Sequence, residues 1–280
     1  MLRKFLKYDI KSLSRFMVPI IIVIVIAIAV GMLSSFFGIK SLINSSGEMN
    51  VFDDMAGVSA ILIIFFSFIV LVCGVSAAQI FVLVDFYKST GSDEAYLTFT
   101  LPARAHDILR SKIISSIMWI SITSVIAVIG YFVIVLAVFG GLEVQKEIFE
   151  EFWEMIPNMI AIPDGYWLPI ALAIVQLLAT FVNTQILYFA AIFFGTTLVT
   201  KNKVLVSIAC VLGFEFLYGL INGIINTIIE AVMMSATLSG GNVIVASCVS
   251  YGVMICIITA FSILFYYSTV HMMEKKLNLA

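Results

Sequence analysis

Six long apolar runs, separated by short polar stretches, set the pattern of this chain: residues 17–38, 57–84, 113–139, 167–199, 204–233 and 243–270. Roughly 20 consecutive apolar residues cross a bilayer as a helix, so each run is long enough. Strands of about ten residues alternating polar and apolar, the mark of a membrane barrel, are absent. The pattern predicts an all-α membrane protein of six transmembrane helices. No internal repeat or low-complexity linker interrupts it, so residues 1–280 are expected to form a single transmembrane domain.

The flanks carry patterns of their own. In residues 1–15, Leu2, Phe5, Leu6, Leu13 and Phe16 fall toward one helical face, and Lys4, Lys7, Lys11 and Arg15 toward the other. An amphipathic helix of this kind lies on a leaflet, its basic side toward anionic headgroups. The alternative is a generic basic flank to the first span. A cleaved signal peptide is not expected: the apolar run is too long and no Ala-x-Ala site follows it. Residues 142–157 are amphipathic as well. Val144, Ile148, Phe152 and Met155 face Glu147, Glu150, Glu151 and Glu154 across the helix, with Trp153 and Trp167 as interface anchors. The acidic face is either simply solvated or attractive to a cationic substrate.

Composition sharpens the class. Apolar residues make up 62% of the chain and charged ones 11%, too little charge to cover a soluble globule. The net charge of −2 excludes nucleic-acid binding driven by bulk charge. Cys73, Cys210, Cys248 and Cys256 all sit in apolar runs and form no Cys-x-x-Cys pair; His106 and His271 form no zinc motif. Thirteen of the fifteen basic residues flank one set of span ends, and only Lys40 and Lys146 fall opposite. The positive-inside rule then places both termini in the cytoplasm. The opposite loops are acidic, with Glu48, Asp53, Asp54, Glu143 and Asp164 besides the four glutamates above.

The long inner segment, residues 85–112, is polar yet carries Phe86, Tyr87, Tyr96 and Phe99. Thr90 or Ser92 suits a helix cap, Asp93 and Glu94 suit the first turn, and Pro102 stops the helix after about two turns. The expectation is a short cytoplasmic helix near 93–100 that presents Tyr96, Leu97 and Phe99 to a lipid surface or to a groove on a partner. The run Asp93-Glu94-Ala95-Tyr96-Leu97-Thr98-Phe99-Thr100-Leu101-Pro102, with Phe86-Tyr87-Lys88 before it and Leu109 and Ser111-Lys112 after it, resembles small type-2 ABC exporter permeases of Gram-positive bacteria. Glycine commonly stands in that family where this chain has Ala95. The resemblance implies six spans, an N-terminal amphipathic helix, and a loop after the second span that docks on a separate cytoplasmic ATPase dimer. Asp93, Glu94, Tyr96, Leu97 and Phe99 would then be the ATPase-coupling residues. It also implies a second permease subunit, identical or sister, in a bacterial plasma membrane.

On that reading ATP and Mg bind the partner, and this chain carries no catalytic residue, cofactor or metal. The chain has no Gly-Lys dipeptide and hence no P-loop. Leu238-Ser239-Gly240-Gly241 is similar to an ABC ATPase signature, but it falls between the fifth and sixth spans and its Ser-Gly-Gly-Asn residues are turn formers.

Polar groups inside the spans are the other candidates. Glu215, Gly219, Asn222, Asn226 and Glu230 recur at helical spacing on the fifth run; Gln176, Thr180, Asn183 and Thr184 do so on the fourth. A charge at the centre of a span costs about 2.5–3.5 kcal/mol, so Glu215 is expected to meet a polar partner such as Tyr218 or the fourth span. Gln176, Asn183, Glu215, Asn222 and Asn226 either line a translocation path, sit at the permease–permease interface, or act as interhelical glue. The fifth run is also long. Residues 221–234 are either a short re-entrant helix, a feature of the resembled family, or part of a tilted span. Function is thus expected to be export of an unidentified substrate, a drug or cationic antimicrobial peptide being candidates. The rivals are an ion-coupled secondary transporter using Glu215 and a membrane sensory or scaffold protein.

The charge asymmetry has a direct test. In intact cells, Glu150→Cys is expected to react with an impermeant thiol reagent and Ser92→Cys to be protected. The reverse labelling would invert the topology.

Overall fold

The computed structural model describes residues 2–44, 51–91, 104–139, 165–199 and 201–277. Every regular element among them is a helix: α1 (Leu2–Asn44), α2 (Val51–Thr90), α3 (Ala105–Phe139), α4 (Trp167–Leu198), α5 (Lys203–Leu238) and α6 (Val243–Leu277). The six expected spans fall within these six helices, each long and apolar enough to cross a membrane. Helicity follows from the solvent such a sequence requires. In hydrocarbon no water pairs with a backbone N–H or C=O, and a helix pairs them all within its own segment. The expected short helix near 93–100 and the amphipathic segment 142–157 lie outside the described residues.

Two expectations about helix breaks meet a different outcome. Residues 3–15 are helical but run without interruption into the first span, so α1 is one helix of 43 residues containing Pro19. Proline inside a helix removes one hydrogen bond and costs about 3 kcal/mol. Buried Leu13 and Met17 before it and Ile24 after it anchor the helix on both sides. Along residues 3–15 the basic side chains are exposed and Leu13 is buried. Likewise α5 is continuous over 36 residues. Gly213, Gly219 and Gly223 do not break it, and 221–234 is not a separate re-entrant helix. A lone glycine costs only about 1 kcal/mol in a helix, less than the unpaired backbone a break would leave in an apolar setting.

The described helices form two compact units. The first takes Met1–Asp9, Leu83–Ile117 and Ile162–Ala280; the second takes Ile10–Val82 and Met118–Ala161. In the second unit, Ile24 of α1, Leu71 of α2 and Ile134 of α3 form a core, joined by Ile20, Ile28, Ile64, Phe68 and Ile126. Gly31 approaches Ser67, and Gly74 approaches Ile24. Small residues at such crossings let membrane helices come close. Phe16 stacks on Phe81 and Phe68 tilts against Tyr131.

In the first unit, α4 packs on both α5 and α6. The half of α4 that ends near Thr196 is buried, including Phe189 and Phe193, and Phe189 stacks on Phe86 of α2 with ring centroids 4.1 Å apart. The link to α5 is tight. Asn202 takes a left-handed conformation (φ 58°) before the first residue of α5, one that asparagine tolerates better than most residues. Between α5 and α6, Gly240 has φ +93°, Gly241 N–H donates to Ala236 O, and Asn242 Oδ1 caps α6 by accepting from Ile244 N–H at 2.9 Å. Residues 238–241 are therefore a helix–helix turn, as their composition predicts.

Gly195 lies where α4 and α5 cross, and a Cβ there would stand 2.6 Å from Ser207 Cα. Gly195→Ala is expected to lower the melting temperature of the detergent-purified protein, with an overpacking cost of about 1–3 kcal/mol. Gly213→Ala meets nothing within 4 Å and is expected to be neutral or stabilising.

Candidate functional site

The most concentrated polar chemistry lies at the ends of the 85–112 segment. Lys112, in the second turn of α3, is buried, its side chain 9% exposed. Its Nζ is 2.7 Å from Asp85 Oδ2 on α2 and 3.0 Å from Asp9 Oδ1 on α1. Ser111 Oγ donates to Asp9 Oδ2 at 2.6 Å. One ammonium thus serves two carboxylates from two other helices, and a hydroxyl supports one of them. Charge-assisted hydrogen bonds of this kind are about twice as strong as neutral ones.

One turn earlier, α3 reaches α6. Arg110 Nε donates to Tyr266 OH at 3.2 Å, and His106 Nδ1 stands 3.0 Å from the same oxygen. The first two turns of α3 therefore tie to α1, α2 and α6. The chain on the other side of the segment is held too. Thr90 is buried with its hydroxyl on Phe86 O, and a Cβ on Gly91 would meet Thr196 Cγ2 of α4 at 2.5 Å.

In the sequence Lys112 stands out as a basic flank and as part of the run that resembles type-2 permeases, whereas Asp9 and Asp85 carry no pattern of their own. A signal existed. Asp9 is the only acidic residue before Glu48, and Asp85 the only one between Asp54 and Asp93. What the sequence could not supply was that three positions so far apart meet.

The expected coupling residues Asp93, Glu94, Tyr96, Leu97 and Phe99 lie outside the described residues. The five polar positions named inside the spans have different surroundings. Glu215 is exposed, and its Oε1 accepts from Tyr188 OH of α4 at 2.9 Å; Tyr218 is not its partner. Asn183 is fully buried and turns to α6, where its Oδ1 accepts from Ser262 Oγ at 2.8 Å. Tyr218 and Asn222 lie one turn apart on α5, and their side chains are close enough to interact with each other. Asn226 Nδ2 donates to Glu230 Oε1 at 3.0 Å, and both line a cleft that Gln176 also lines. Thr180 and Thr184 hydroxyls return to carbonyls of their own helix. Among the described residues no group of three or more His, Cys, Asp and Glu side chains could hold a metal.

Comparison of the chain with protein-family models, curated proteins and solved structures finds no match. Function is therefore argued from residues and geometry.

The cluster predicts its own dependence on charge. Lys112→Met removes the buried ammonium that two partly buried carboxylates share, and removing one partner of a fully buried pair costs about 3–5 kcal/mol, an upper bound here. The single variant is expected to melt well below wild type in detergent. Adding Asp9→Asn and Asp85→Asn is expected to recover most of the loss. Equal melting of wild type and Lys112→Met would mean that the cluster does not hold these helices.

Proposed function

We propose that this chain is the membrane-spanning permease subunit of an ATP-driven exporter, with residues 92–103 as the element that meets a cytoplasmic ATPase dimer. The observation that carries the reading is the closure of that segment at its base. Asp85, before it, and Lys112, after it, form an ion pair at 2.7 Å, and Lys112 also holds Asp9 of α1. A loop whose ends are fixed together transmits a displacement to its helices instead of absorbing it. Through Asp9, Asp85 and Tyr266, a push on the loop reaches α1, α2 and α6 as well as α3.

In this reading Tyr96, Leu97 and Phe99 seat in a groove on the ATPase, and Asp93 and Glu94 begin the seated helix. The ATPase holds ATP and Mg and does the hydrolysis. The basic residues along 3–15 lie at the inner leaflet, both termini are cytoplasmic, and a second permease completes the translocation unit in a bacterial plasma membrane. The resemblance of residues 86–112 to type-2 permeases supports the same assignment.

Affinity-tagged full chain purified from its native membranes is expected to bring a P-loop ATPase with it. Truncating buried aromatic anchors costs about 2 kcal/mol or more each, so Tyr96→Ala with Phe99→Ala is expected to release that ATPase while the permease keeps its melting temperature. Retention of the ATPase by this variant, or no ATPase with wild type, would refute the docking role.

A further inference from the structure

The cleft at the α5–α6 turn end of the first unit has no role in ATPase coupling, and its chemistry is specific. It holds about 510 Å³, within the range of roughly 300–1,000 Å³ usual for small-molecule sites. Gln176 of α4, Asn226 and Glu230 of α5, and Tyr251 and Met254 of α6 line it. The distribution of basic residues assigns this end to the outer side of the membrane.

Glu230, an exposed carboxylate, is the charged residue among the described ones that line the cleft. Among the described residues no Lys, Arg or His lines the cleft. α4 has no charged residue at all, and between Lys203 and His271 the only charged residues are Glu215 and Glu230. Asn226 donates to Glu230 Oε1 but brings no charge. Among the described residues Gln176 Oε1 has no hydrogen-bond partner, and its carbonyl dipole adds negative potential beside the cleft. Tyr251 adds an aromatic ring, and rings attract cations by roughly 0.5–2 kcal/mol. Met254 and the neighbouring methionines supply adaptable apolar walls.

We propose that this cleft binds an organic monocation with an apolar body, its charge beside Glu230 and its body against Tyr251 and the methionines. The site goes beyond the exporter reading and does not depend on it, because binding is a property of the purified chain alone.

Titration of the full chain in detergent with tetraphenylphosphonium tests the assignment. Wild type is expected to bind one cation per chain. Glu230→Gln, which keeps shape and removes charge, is expected to weaken binding by about tenfold or more, because this carboxylate is the charge that lines the cleft among the described residues. Ser250→Trp, which fills the cleft and leaves the carboxylate, is expected to do the same, whereas Glu274→Gln at the far end of α6 is expected to bind as wild type does. Tetraphenylborate, an anion of the same shape, is expected not to compete. Equal binding by wild type and Glu230→Gln, normal binding by Ser250→Trp, or competition by tetraphenylborate would each overturn the site. None of these readings involves an ATPase, so the site and the exporter reading stand or fall separately.

Discussion

A single buried ammonium organises one end of this molecule. Lys112 Nζ lies within 3.0 Å of carboxylates from α1 and α2, and each partner would be a liability without it. Burying a lone charge costs several kcal/mol even after relaxation, and only close, hydrogen-bonded partners repay that cost. The geometry requires α1 to bring Asp9, and α2 to bring Asp85, to the second turn of α3. The consequence reaches past stability, because those positions bracket the segment proposed to meet the ATPase.

Elsewhere polar groups are few, and their use is local. Most Ser and Thr hydroxyls donate to carbonyls three or four residues back in their own helix, as at Ser67, Ser115, Thr123 and Thr184. Such back-bonds satisfy the hydroxyl without linking helices. Among the described residues Tyr188 with Glu215, and Ser262 with Asn183, link helices within the first unit, as Arg110 and His106 do with Tyr266. Along the polar stripes of α4 and α5 the side chains thus find different partners at different levels. Glue accounts for Asn183, whereas the cleft at Gln176, Asn226 and Glu230 has room for a ligand.

Packing in both units relies on small residues where helices cross. At Gly195 and Ser207 the backbones of α4 and α5 come too close for a Cβ, and Gly31 and Gly74 meet side chains of neighbouring helices in the second unit. Where lipid replaces water, apolar burial gives little drive to associate, and close van der Waals contact at small residues takes its place. Large apolar side chains such as Leu205, Phe216 and Ile224 on α5 are correspondingly exposed, a surface suited to acyl chains.

Much of the architecture was legible before any coordinates. Six apolar runs of sufficient length leave the backbone one way to pair its polar groups, so helix number and approximate bounds followed from composition and period. The turn at Ser239–Asn242 was legible for the same local reason: glycine and asparagine have the conformations it needs. The continuity of α1 through Pro19 and of α5 through its glycines was not, since a local cost of a few kcal/mol yields to packing on either side. Nor was the Lys112 cluster, the pairing of Glu215 with Tyr188, or the cleft that Gln176, Asn226 and Glu230 line together. Periodicity places a residue on a face of its own helix. Only the packed structure decides which residue of another helix that face meets.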